Sequence, residues 1–138
     1  CGNGYDAIEF TRRGIDVYAV DFAIEAINNL KTQCEGHNLN INLINEDIFN
    51  LSERYSDYFD MVFEYTCFCA IDPERRAEYF DVAHKIMKKN ATLFGIFLPL
   101  DKPKNNPEGP PFGVTVKEIK SLTKNTFTCT EEYFSDLS

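Results

Sequence analysis

The stretch Cys1-Gly2-Asn3-Gly4-Tyr5-Asp6-Ala7, read with Val17-Tyr18-Ala19-Val20-Asp21, restricts the fold more than any other part of this chain. A glycine turn leads into a helix, a short apolar strand follows, and an acid closes that strand. In a Rossmann-like half-site this order brings backbone N–H groups up to a nucleoside and sets a carboxylate, about 20 residues on, beside its ribose. Ala7 stands where the dinucleotide pattern has its third glycine, so a nicotinamide dinucleotide is the weaker expectation. Such a turn ordinarily follows a buried strand. The sequence therefore reads as an excerpt whose first strand precedes Cys1.

Helical and strand patterns alternate along the rest of the chain. A helix is expected from Tyr5 to Arg13 with Gly14 as its stop, then a buried strand over Ile15–Val20. Phe22–Cys34 carries Ile24, Ile27 and Leu30 at three-residue steps before Gly36, an amphipathic helix, and Asn40–Asn45 reads as a strand. Phe59–Phe63 is nearly continuous in hydrophobicity, as a strand buried on both faces must be. Asp72-Pro73-Glu74 supplies a cap, a first-position proline and first-turn acid for a helix running to about Lys89, with Asn90 as its cap. Ala91–Leu100 is another buried strand, Asp101–Pro111 a proline-rich loop, Thr115–Lys124 a short helix, and Phe127–Phe134 a last strand. The pattern implies a single α/β domain spanning residues 1–138: a doubly wound, mostly parallel sheet with helices on both faces, incomplete at both termini.

A length of 138 residues and a hydrophobic fraction of 43% suit one globular core and exclude wholesale disorder. The net charge of −8 argues against nucleic acid or an anionic membrane as partner, since both need a basic face. No apolar run reaches the roughly 18 residues of a membrane span, and no signal peptide is visible. Five scattered cysteines, an odd number, point to reduced thiols and a cytoplasmic protein. Cys67 and Cys69 lack the two further ligands a metal site needs, so no metal is expected, and His37 and His84 are expected to face solvent.

In open parallel sheets ligands lie beyond the carboxyl ends of the strands. Three clusters fall there: Asp21-Phe22, Asp47-Ile48 and Glu64-Tyr65. Asp21 suits ribose hydroxyls, and Asp47 suits the exocyclic amine of adenine, with Phe22 and Ile48 on the two sides of the ring. The alternative is that each acid only caps the helix after it.

Four pieces of sequence carry a resemblance. They are the opening glycine turn, Val20-Asp21-Phe22 with Glu46-Asp47-Ile48-Phe49, the run Phe59 to Arg76 through Tyr65-Thr66-Cys67-Phe68-Cys69-Ala70-Ile71-Asp72-Pro73, and Gly109-Pro110-Pro111-Phe112. Together they resemble the class I S-adenosylmethionine-dependent methyltransferases of the thiopurine S-methyltransferase superfamily, nearest its plant-type thiol and halide methyltransferases. The resemblance covers essentially the whole chain. It implies S-adenosylmethionine as cofactor and S-adenosylhomocysteine as product, with Gly2 and Gly4 at the methionine portion, Asp21 at the ribose, Asp47 and Ile48 at the adenine, and Tyr65 near the sulfonium. It implies a substrate wall that includes Phe68, Arg76, Pro111 and Phe112.

That family has an N-terminal helical segment and a first strand ahead of the glycine turn, and it continues past the position of Ser138, so the chain looks truncated at both ends. The activity implied is methyl transfer to a small soft nucleophile: a thiol, hydrosulfide or halide. Alternatives are a thiopurine-like or metalloid-methylating enzyme, or a non-catalytic relic that keeps only the cofactor pocket. No residue is expected to act as a covalent or acid–base catalyst, because a soft anion needs no strong base.

Overall fold

The computed structural model describes residues 1–100, 102–104 and 106–134; Asp101 and Asn105 of the expected loop lie outside the described residues. The chain divides into two compact units, Cys1–Ser56 and Asp57–Ser138.

The first unit runs α1 (Tyr5–Arg12), β1 (Tyr18–Asp21), α2 (Ile24–His37), β2 (Asn42–Asn45) and a 3-10 turn over Ile48–Glu53. Gly4, in the left-handed region at φ 72, caps α1, and Gly14, at φ 83, follows its end. β1 and β2 pair in parallel, Tyr18 opposite Asn42 and Asp21 opposite Asn45, with α2 as the crossover. Ile27, Leu30 and Cys34 give α2 its buried stripe, while Ile24 faces outward. Leu30 packs with Ala7, Ile8, Ala19, Cys34 and Ile41 into a core, and burying one such side chain contributes about 1.5–3 kcal/mol. The helix continues through Gly36, expected to end it, and stops at Asn38, whose φ of 54 an asparagine tolerates.

The second unit runs β3 (Phe59–Tyr65), 3-10 turns over Phe68–Ala70 and Pro73–Arg75, α3 (Arg76–Ile86), β4 (Met87–Ile96) and α4 (Val116–Thr123). β3 and β4 pair in parallel, Phe63 opposite Phe94 and Tyr65 opposite Ile96, with a register shift between Phe59 and Met61. Asp72 accepts the Glu74 N–H at 2.9 Å, the expected cap. Phe68, Tyr79, Phe80 and Phe97 form an aromatic cluster with ring centroids 5.2–6.2 Å apart. On the opposite side of the β3–β4 pair Phe63 and Phe94 stack at 5.9 Å, and Met61, Phe94 and Ile96 are exposed. Alternation along the strands forces this division.

Among the described residues the strands pair as two two-stranded parallel sheets, one in each unit. Three expectations are corrected. α3 ends at Ile86, not near Lys89: Met87 turns extended (φ −84, ψ 141) and enters β4, where Lys88 pairs with Asp60 at 2.9 Å. β4 in turn stops at Ile96. No strand forms over Phe127–Phe134; a 2.8 Å ion pair between Lys120 and Glu132 ties that segment to α4 instead of a ladder.

Candidate functional site

In the first unit the glycine turn and Asp21 form one hydrogen-bonded group. The Gly4 N–H donates to the Cys1 carbonyl at 3.0 Å, and the Gly4 carbonyl accepts the Ile8 N–H at 2.9 Å, so the turn closes and α1 starts on the same residue. A side chain at Gly4 is excluded twice, by its positive φ and because a Cβ would run into Leu30. Gly2 also has positive φ, 52, but a Cβ there meets nothing within 4 Å: its side of the turn is open.

Oδ2 of Asp21 accepts the Gly2 N–H at 2.8 Å and the Cys1 amine at 2.9 Å, and Oδ1 accepts the Ala23 N–H at 2.9 Å. Burial pushes this carboxyl up, but its hydrogen bonds, led by the Ala23 N–H, outweigh burial and hold it below the ordinary aspartate range. Three donors leave capacity in a carboxylate that offers about four acceptor sites. The Asn45 amide fixes the backbone around it, donating to the carbonyls of Asp21 and Phe22 at 3.0 Å each.

Phe22 is 80% exposed, the half-buried Ile48 opens the 3-10 turn, and Asp47 is exposed with Oδ1 accepting the Phe49 N–H at 3.0 Å. Asp21 and Asp47 thus each cap the next turn of the chain. Capping is their part in the fold, and each keeps a face free as well.

The remaining expected site residues, Tyr65 for the cofactor and Phe68, Arg76, Pro111 and Phe112 for the acceptor, lie in the second unit at unequal depths. Tyr65, at the end of β3, is 45% exposed. Phe68 is 1% exposed and sits in the aromatic cluster, with the Arg76 guanidinium 4.6 Å from its ring centroid. Arg76 is 0% exposed: Nη1 donates to the Gly113 carbonyl at 3.0 Å and to Glu118 at 2.8 Å, and Nη2 to the Phe112 carbonyl at 3.4 Å. Its Nε has no hydrogen-bond partner among the described residues. Arg76 is a brace between α3, the Gly-Pro-Pro-Phe loop and α4, and Lys104 joins it on Glu118 at 2.8 Å. Pro111 is exposed, and Phe112 is anchored by its N–H to the Cys69 carbonyl at 2.7 Å. Phe112 lines an open depression of about 300 Å³ with Asp72, Pro73, Asn106 and Pro107.

A third strand-end acid behaves differently from the first two. Glu64 is 2% exposed, with one oxygen on the Phe68 N–H and the other on the Tyr79 hydroxyl. Its place near the carboxyl end of the strand was readable in the sequence. Its pairing with Tyr79, on α3, was not, since no local spacing announces a contact between a strand end and a later helix. Cys69 is buried, His37 and His84 are exposed, and none of the five cysteines forms a disulfide among the described residues. Among the described residues no helix is long and apolar enough to cross a membrane.

Two solved structures share this fold. The PH0226 protein of Pyrococcus horikoshii superposes with a TM-score of 0.84 at 18% identity, over 99% of this chain and 74% of that one. A SAM-dependent methyltransferase from Archaeoglobus fulgidus gives 0.68 at 19% identity, over 91% and 57%. The class is the Rossmann-like α/β fold of such methyltransferases. The family model described as thiopurine S-methyltransferase (TPMT) matches residues 1–137, and the chain belongs to that family. A curated relative, "Probable thiol methyltransferase 2" of Arabidopsis thaliana, is 27% identical over 124 residues, which make up 88% of this chain and 53% of the relative. The chain spans about half the length of the curated relatives it matches.

Proposed function

We propose that this chain is the cofactor- and acceptor-binding part of a methyltransferase that uses S-adenosylmethionine and delivers its methyl group to a small soft nucleophile, most simply a thiol or hydrosulfide. The observation that carries the reading is the ionised Asp21 at the end of β1, hydrogen-bonded to the glycine turn and followed by the exposed ring of Phe22. Family membership and the name of the Arabidopsis relative support the same activity and acceptor class.

The residues present fit the cofactor. Gly2 leaves an open backbone for the methionine portion, Asp21 has acceptor capacity for ribose hydroxyls, Phe22 and Ile48 offer apolar surface for a purine, and Asp47 an acceptor for its amine. Gly4 keeps the turn against α2, and Tyr65 is the cofactor group of the second unit. Phe112 and Pro111 contribute the acceptor wall. Phe68 and Arg76 support that wall from within. The cofactor, when bound, supplies the activated methyl group. The protein's share is binding, orientation and exclusion of water, and a thiol is already partly ionised near neutral pH. Residues 1–138 are read as one methyltransferase domain, and five cysteines without a disulfide agree with a cytoplasmic protein.

Calorimetric titration of S-adenosylhomocysteine, with NAD as control, tests the cofactor. Micromolar binding of the first alone is expected, and a folded chain that binds neither sinks the reading. Methylation of hydrosulfide compared with an aromatic thiol then tests the acceptor: a preference for the aromatic thiol would move the chain to the thiopurine-like alternative.

A further inference from the structure

The carboxyl end of β3 contains a buried acid that neither cofactor nor acceptor binding uses. Glu64 accepts the Phe68 N–H through Oε1 at 2.8 Å and the Tyr79 hydroxyl through Oε2 at 2.7 Å. Between Glu64 and Phe68 runs Tyr65-Thr66-Cys67, with Thr66 at φ 65. A β-branched residue in that region is strained and persists only where its surroundings over-determine it. Here they do. The Thr66 carbonyl accepts the Cys69 thiol at 3.3 Å, the Thr66 hydroxyl donates to the Tyr65 carbonyl at 2.6 Å, and Glu64 ties both ends of the turn to α3. Tyr79 is itself fixed edge-on to Phe68 and Phe80 at 5.8 and 5.5 Å.

Stability alone does not account for this acid. Burial pushes its carboxyl up, against the pull of the Phe68 N–H and the Tyr79 hydroxyl, and an apolar side chain of similar volume would avoid that desolvation. What an apolar residue lacks is an acceptor for the Phe68 N–H, which is buried at the point where the strained turn closes. The only strongly exposed aromatic ring on that turn is Tyr65, the cofactor group of the second unit.

We propose that Glu64 and Tyr79 are positioning residues, which lock the Tyr65–Cys67 turn so that the Tyr65 ring is held in a single orientation for the methyl-transfer step. The inference rests on the methyltransferase function proposed for the chain. Glu64 acts through the backbone of the turn and Tyr79 acts through Glu64. Their loss lowers turnover more than it weakens ligand binding, because an unlocked ring still makes contact but seldom in the reactive arrangement.

The test uses Glu64→Ala, Glu64→Gln and Tyr79→Phe in the chain, with S-adenosylmethionine and hydrosulfide as substrates. Amide exchange at Phe68, S-adenosylhomocysteine affinity, kcat and KM are read in parallel. Loss of one buried hydrogen bond corresponds to about tenfold, so Tyr79→Phe speeds Phe68 exchange and lowers kcat by about that factor, with KM and affinity within about twofold. Glu64→Ala does more of both. Glu64→Gln, which still offers an oxygen to the Phe68 N–H, recovers most of the loss.

Unchanged Phe68 exchange overturns the lock, and faster exchange with an unchanged kcat overturns its role in transfer. A fall in kcat and affinity with a matching rise in KM, with Glu64→Gln as damaging as Glu64→Ala, reduces the pair to a structural contact and overturns the proposal too. Tyr79→Phe is mild enough to decide the matter if Glu64→Ala fails to fold. A parent chain that neither binds S-adenosylhomocysteine nor methylates hydrosulfide overturns the function itself; a parent that does both, with variants that keep its kcat, overturns the positioning alone.

Discussion

Asp21 and Glu64 stand at the carboxyl ends of β1 and β3, and their surroundings drive them in opposite directions. Asp21 stays partly open, collects three donors and is held below the ordinary range. Glu64 is sealed in, has the Phe68 N–H and the Tyr79 hydroxyl, and is pushed above it. The same contrast runs through the units that contain them. In the first unit the ligand-type groups lie at the surface, Phe22 and Asp47 among them. In the second, the buried charged residues of the most distinctive stretch of sequence, Glu64 and Arg76, are structural members. A charge at a strand end therefore says where chemistry is possible, and burial says whether the charge faces a ligand or the fold.

The largest expected effect breaks the comparison on the side of the second unit. Arg76→Ala strands the carbonyls of Gly113 and Phe112, removes one partner of Glu118 and empties a buried volume, at a cost of about 3–5 kcal/mol in denaturant unfolding. A cost below about 1 kcal/mol would show that the brace carries no weight. Next comes Asp21→Ala, which removes the charged acceptor proposed for the ribose. S-adenosylhomocysteine affinity should fall by roughly 1.5–3 kcal/mol, about 10- to 150-fold, in calorimetry. Unchanged affinity would remove the ribose role and leave Asp21 as a cap.

Acid titration of stability sharpens the contrast at smaller scale. A folded value below 3.8 makes the Asp21 contribution complete above 3.8 and lost as pH falls through the folded value. A folded value above 4.5 gives Glu64 the opposite sign: its contribution is complete below 4.5 and lost as pH rises through the folded value. Asp21→Asn should flatten the acid limb below 3.8, and Glu64→Gln the slope above 4.5; the same change from both variants would mean that the two sites do not differ. The smallest effect is that of Phe22→Ala on stability, within about 0.5 kcal/mol because the ring is so exposed, although cofactor affinity should still drop. Clear destabilisation would make Phe22 a core residue rather than a ligand surface.

These same residues show what the sequence could and could not reveal. The glycine turn, the acid closing β1 and the parallel pairings were legible, because turn chemistry, β-branched runs and the period of the apolar residues act locally. The end of α3 was not. Lys85, Lys88 and Lys89 suit a helix terminus, but Lys88 also suits an exposed strand position opposite Asp60, and only the ladder decides. Phe68 and Arg76 were assigned to the substrate wall on motif alone. Their depth depends on α4 and the Gly-Pro-Pro-Phe loop, some 40 residues away in the chain, whose partner atoms no spacing rule connects to them.

The exposed side of the β3–β4 pair has a consequence for how the molecule behaves in bulk. Met61, Phe94 and Ile96 form a sticky strip of short range, whereas the net charge of −8 repels neighbouring copies at long range. Salt shortens the repulsion, to about 8 Å at physiological strength and about 3 Å at 1 M, and leaves the strip untouched. Dispersion in dilute buffer and clustering in brine are then two faces of a single surface, and ionic strength sets the colloidal state of the preparation.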